Sequence, residues 1–124
     1  MRLVLLVILA VLLAPAAAHA AYRDFRSPSG KLACAFYSDA EVPPLVRCDW
    51  RGSDDQAVQV GETGRARLRR VTDSVMNPEA RVLRYGRSTT FRRLKCISRR
   101  RGIKCRSLAS GHGFRVSVEG RELF

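Results

Sequence analysis

Beyond about the first twenty residues, apolar and polar positions mostly repeat with a period of two. Phe114, Val116 and Val118 alternate with Arg115, Ser117 and Glu119, the pattern of a strand buried on one face. Shorter stretches bounded by turn residues predict further strands at residues 31–37 (KLACAFY), 45–50 (LVRCDW), 56–60 and 65–71. In the last of these, Ala66 and Leu68 alternate with Arg65, Arg67 and Arg69, which predicts one apolar and one cationic face. Residues 27–30 (SPSG), 38–44 with Pro43 and Pro44, 52–55 (GSDD) and 61–64 (GETG) read as connections, and residues 22–26 as a short lead-in. Asn77 and Pro78 have the order of a helix cap and first helical position. Val82, Leu83 and Tyr85 before Gly86 favour a strand there, because so short a segment makes a poor helix. Residues 89–98 predict one arm of a hairpin with a basic turn at Arg99, Arg100, Arg101 and Gly102, and Leu123 and Phe124 predict an end that packs down.

The two cysteine pairs sit in matching contexts. Leu32-Ala33-Cys34 with Val46-Arg47-Cys48 is echoed by Leu94-Lys95-Cys96 with Ile103-Lys104-Cys105. Residues opposite one another on antiparallel strands lie ~4.5 to 5.5 Å apart at Cα, within reach of a disulfide. Of the three possible connectivities, the echo selects Cys34 with Cys48 and Cys96 with Cys105. The expected fold is mainly β, a small antiparallel barrel or sandwich built from disulfide-stapled hairpins.

The start of the chain follows different rules. Arg2, an unbroken apolar run over residues 3–13 and Ala18-His19-Ala20 form the pattern of a secretory signal peptide cleaved after Ala20. The run is too short for a membrane span, which takes ~20 apolar residues. Residues 21–124 are then one domain of an exported protein, secreted or periplasmic. Four cysteines in such a domain favour disulfides over a metal site, and neither pair has the C-x-x-C spacing of a zinc ligand pair.

Charge changes the picture once it is located. Residues 21–64 hold five basic and seven acidic residues, whereas residues 65–106 hold fifteen basic and two acidic, so nearly the whole net +12 falls in one segment. A coding bias would account for 20 Arg against 3 Lys, but not for the scarcity of acids there. The candidate polyanion-binding residues are Arg65, Arg67, Arg69, Arg70, Arg92, Arg93, Arg99, Arg100, Arg101 and Lys104. If Arg65, Arg67 and Arg69 stood beside the Arg99–Lys104 hairpin, they would form one patch. Fitting partners are an anionic envelope polymer, a membrane surface with anionic headgroups, or nucleic acid. Only Tyr85 and Phe91 lie among these cations for base stacking, so sequence-specific nucleic-acid reading is not expected.

Several short signatures together resemble a family of small exported bacterial proteins catalogued as a domain of unknown function. They are Ser27-Pro28-Ser29-Gly30 ahead of Cys34, Val46-Arg47-Cys48-Asp49, Val82-Leu83 with Tyr85-Gly86, Gly102-Ile103-Lys104-Cys105, Gly111-His112-Gly113-Phe114 and the closing Leu123-Phe124. Lys31 departs from the Asn usual in the family, and Arg70 stands where many members carry a further Cys. The resemblance implies export, disulfides and a compact β-rich domain without a third bridge. It carries over no reaction and no catalytic residue.

A catalytic constellation is not evident. His112 is the single histidine after residue 20, and its flanking glycines fit a turn entering the Phe114 strand. A small basic ribonuclease would need His112 paired with Glu119 or Glu122, and a secreted hydrolase inhibitor is a third class that such a scaffold suits. The chain has no Gly-rich phosphate loop, no G-x-S-x-G and no metal-binding His pair, so neither cofactor nor metal is expected.

Overall fold

The computed structural model of the chain describes residues 20–124, so the expected signal peptide lies outside it except for Ala20. Within that range the protein is all-β. The strands are β1 (Ala21–Arg26), β2 (Leu32–Ser38), β3 (Leu45–Trp50), β4 (Gln56–Gly61), β5 (Arg67–Arg70), β6 (Arg81–Val82), β7 (Ser88–Phe91), β8 (Leu94–Arg99), β9 (Gly102–Ser107), β10 (Gly113–Val116) and β11 (Arg121–Leu123). Among the described residues no helix is long and apolar enough to cross a membrane.

Two sheets pack face to face. Sheet A runs β5-β4-β3-β2-β1-β6 and sheet B runs β11-β10-β9-β8-β7. Phe25, Phe36, Val46, Val58 and Val60 from sheet A meet Leu94, Ile103, Phe114 and Val116 from sheet B in one buried cluster. At its centre are the two bridges selected by the sequence echo, Cys34–Cys48 and Cys96–Cys105. Each joins residues directly opposite in register, with Cα separations of 4.0 and 4.1 Å that belong to the closer type of antiparallel pair. The bridges touch, Cys48 Sγ lying 4.0 Å from Cys105 Sγ. Neither sulfur carries a hydrogen, so this is a van der Waals contact that presses one stapled hairpin against the other.

Further ties hold the sheets at the end of the sandwich away from the Arg99–Gly102 turn. The buried Ser107 hydroxyl donates to the Glu62 carbonyl at 2.7 Å, and the Arg93 amide donates to Glu62 Oε1 at 3.2 Å. Residues 72–80 cross the outer face of sheet A, connecting β5 at one edge to β6 at the other. This strap seats Val75 and Met76 on Ala33 and Ala35. Arg47 fixes it by binding both Asp49, at 2.9 Å, and Asp73, at 2.7 Å, while Asp49 Oδ2 accepts the Val75 amide at 3.0 Å.

Several elements differ from the sequence expectations. The lead-in at residues 22–26 is strand β1, hidden because only Phe25 on it is fully buried. The supposed arm at residues 89–98 is broken after Phe91 by a tight two-residue turn that opens with Arg92 at φ 54°, a conformation usually signalled by glycine. In β5 the apolar face fails, since Leu68 is 48 % exposed on an edge strand, and only Ala66 ahead of the strand is buried. Asn77 does cap one turn, its Oδ1 accepting the Glu79 amide, and the strand favoured after it shrinks to the two residues of β6. The last residues pair through backbone, Phe124 and Gly113 exchanging hydrogen bonds of 2.9 and 3.0 Å, but the Phe124 ring stays 45 % exposed.

Candidate functional site

The outward face of sheet B is made from the residues that its core does not use. In β8, Leu94, Cys96 and Ser98 are buried, leaving Lys95, Ile97 and Arg99 on the opposite side. β9 buries Ile103, Cys105 and Ser107 and turns out Lys104 and Arg106; β10 buries Phe114 and Val116 and presents Arg115. Register then sets like charges side by side, Lys95 opposite Arg106 and Lys104 opposite Arg115. Like charges set directly opposite one another are destabilising. Glu122 of β11 is the acid that shares these rows, and the Arg115 guanidinium donates to its Oε1 at 2.6 Å.

One end of this face is closed by the Arg99–Gly102 turn. Gly102 sits at φ 135°, and a Cβ there would lie 2.1 Å from the Val116 carbonyl oxygen. Glycine alone lets the turn lie flat against β10, which carries Arg99, Arg100 and Arg101 toward Arg115. Together with Ile97 and Lys104 they surround a depression of about 440 Å³ that has no acidic lining residue. Two exposed rings flank it: the Arg100 guanidinium lies over Tyr85 at 5.4 Å and the Lys104 ammonium over Phe124 at 5.2 Å.

The ten cations chosen from the sequence therefore divide. Arg99, Arg100, Arg101 and Lys104 share the depression. Arg92 and Arg93 form the β7–β8 turn, at the far end of β8, roughly 20 Å from Arg99 at ~3.3 Å per residue. Arg67 and Arg69 are on β5 of sheet A and Arg65 precedes that strand, all three around a different depression with Pro43, Pro44 and Gln59. Arg69 donates to Gln59 at 2.9 Å, and Arg70 lies 3.6 Å from Asp55. The single patch with Arg65, Arg67 and Arg69 beside the hairpin tip is not formed, because β5 pairs at the edge of the other sheet. Lys95, Arg106 and Arg115 were missed, although their alternation with Leu94, Cys105 and Phe114 was the available signal. Phe91 stacks on Phe36 at 5.3 Å and lies under Arg23 and Arg92, away from the depression, where Tyr85 and Phe124 are the rings beside the cations.

Sheet A differs electrostatically. Residues 21–87 hold twelve basic and nine acidic residues, net +3, whereas residues 88–124 hold ten and two, net +8. On the outer face of sheet A, the hydrogen bond from Arg47 to Asp73 Oδ1 and the charge of that guanidinium hold the Asp73 carboxyl below the usual carboxylate range, while a second Arg47 nitrogen donates to the Asp73 backbone carbonyl. Burial works against the charge of Arg47, but the hydrogen bonds and charges of Asp49 and Asp73 outweigh it and raise its pKa.

Catalytic chemistry finds little geometry. His112 is half-buried at the start of β10, its carbonyl accepting the Ser107 amide at 2.8 Å, and among the described residues no hydrogen bond joins its ring to an acid. Glu119 lies past the other end of β10, and Glu122 is engaged by Arg115. The sulfurs of Cys34, Cys48 and Cys105 cluster within 4.8 Å, but all three are in disulfides and offer no thiolate to a metal. None of the family models, curated proteins or solved structures compared with this chain matches it.

Proposed function

We propose that the protein is an exported, non-enzymatic binding domain that meets a polyanion on the outward face of sheet B. The observation that carries this reading is the register of like charges, Lys95 against Arg106 and Lys104 against Arg115, on a face with one acid. A polyanion laid across the strands turns these repulsions into shared attraction. Strand spacing of ~4.8 Å and a same-face repeat of ~6.7 Å suit a chain carrying closely spaced charges, such as an anionic envelope polymer or a layer of anionic headgroups. Export rests on the amino-terminal pattern and on two disulfides, which persist in oxidising compartments.

A single-stranded oligonucleotide of mixed sequence serves as a ruler for the charge contacts. With about five contacts, affinity falls more than a thousandfold over one decade of salt, at ~0.7 log units per contact. Changing Lys95, Lys104 and Arg106 together to Gln reduces that slope by about two units. Changing Arg65, Arg67 and Arg69 to Gln leaves it nearly intact. Equal losses from both sets would show that only net charge matters, and no binding at low salt would end the reading.

A further inference from the structure

We infer that the depression between the Arg99–Gly102 turn and Arg115 is a discrete subsite for one multiply charged phosphate group, a phosphomonoester or a pyrophosphate, within the broader cationic face. This rests on the polyanion reading and adds to it a place and a chemistry. Five cations, Arg99, Arg100, Arg101, Lys104 and Arg115, line one concavity of about 440 Å³ with no carboxylate among the lining residues. A single carboxylate or phosphodiester brings one negative charge to this group, whereas a phosphomonoester brings nearly two and a pyrophosphate more. Guanidinium forks also match phosphate oxygens two at a time.

The cations are held before any ligand arrives. Arg115 is tethered by one nitrogen to Glu122, which leaves its other N–H groups free, and its partner across the strands, Lys104, rests over the Phe124 ring. Arg100 rests over Tyr85. The turn that supplies three of the arginines is pinned to β10 by the absent side chain of Gly102. Holding long side chains in place reduces the ordering cost of binding. Ile97 and the stems of the arginines give the concavity an apolar floor, so the group bearing the phosphate can be a sugar or a lipid glycerol as readily as a free ion.

The test uses calorimetric titration of the folded protein with inorganic pyrophosphate, with citrate as a carboxylate of comparable charge. Pyrophosphate binds one-to-one and at least tenfold more tightly than citrate. Arg115→Gln and, independently, Lys104→Gln each weaken it at least tenfold, while Arg67→Gln on sheet A changes it less than twofold. Vesicles containing phosphatidic acid, a phosphomonoester lipid, are compared with vesicles of phosphatidylglycerol, a phosphodiester, at matched surface charge. Preference for phosphatidic acid that disappears in Arg115→Gln assigns the site to lipid-borne phosphate; pyrophosphate binding without that preference assigns it to soluble phosphorylated ligands. Absence of saturable binding, equal binding of citrate, or equal loss in Arg67→Gln overturns the subsite. The oligonucleotide titration separates the two levels: salt-dependent binding there with no pyrophosphate site leaves the cationic face standing alone.

Discussion

Gly113 and Asp49 show how much single positions carry here. A Cβ on Gly113 would lie 2.2 Å from the Cys105 carbonyl oxygen and 2.8 Å from Arg106, so β9 and β10 can pair at this register only without a side chain. Gly113→Ala is expected to cost about 2 kcal/mol through overpacking, read as a lowered melting temperature. It also shifts the strands that present Arg106 and Arg115. Asp49 is buried at 3 % exposure and holds both Arg47 and the Val75 amide, so Asp49→Ala leaves a half-buried guanidinium with reduced compensation. The expected loss is ~3 kcal/mol in denaturant unfolding. Asp73→Asn, at an exposed carboxylate, costs under about 1 kcal/mol. Because the folded pKa of Asp73 is depressed, its contribution is complete above the ordinary value of 3.8 and disappears as pH falls through the lower folded value. Acid titration of Asp73→Asn should therefore converge with the parent protein only below that point. Convergence already at pH 6 would show that the strap is not held by this charge.

At the scale of elements, the two stapled hairpins form one unit. Loop entropy assigns roughly 3 kcal/mol to the Cys34–Cys48 bridge and ~2.7 kcal/mol to Cys96–Cys105. Since the bridges touch at 4.0 Å, their removals are not independent. The variant Cys34→Ala with Cys48→Ala, the variant Cys96→Ala with Cys105→Ala, and their combination form a cycle whose coupling should exceed about 0.5 kcal/mol. Strict additivity would mean that the sulfur contact has no structural weight. Reduction of both bridges is expected to unfold most of the domain, because together they match the lower end of the ~5–15 kcal/mol stability of ordinary domains. An unchanged melting temperature after full reduction would contradict this. The hairpins were legible in the sequence because cysteine spacing and period-two alternation are local signals. The β7–β8 turn was not, because Arg92 occupies a left-handed conformation without a glycine or asparagine to announce it.

On the scale of the whole molecule, the domain is electrically two-sided: residues 21–87, which form sheet A, carry net +3, and residues 88–124, which form sheet B, carry net +8 on far fewer residues. Bound to a polyanion, it should shield Lys95 and Lys104 from acylation while Arg67 remains open to an arginine reagent, as measured by mass spectrometry. Shielding of all three to the same extent would show that the molecule binds without orientation. The sequence by itself determined the all-β class, the local pairing of Cys34 with Cys48 and Cys96 with Cys105, most strand positions and the excess of positive charge, since each depends on residues near one another in the chain. Only the tertiary structure decided which cations stand together. Arg69 and Arg99 belong to the same basic segment yet lie on different sheets, while Arg115 and Lys104, ten or more residues apart, are direct neighbours across β9 and β10. Charge along the chain is one-dimensional, but the order of strands within a sheet and the face each side chain takes are set by long-range pairing. That pairing takes Arg65, Arg67 and Arg69 to sheet A and gathers Arg99, Arg100, Arg101, Lys104 and Arg115 around one depression.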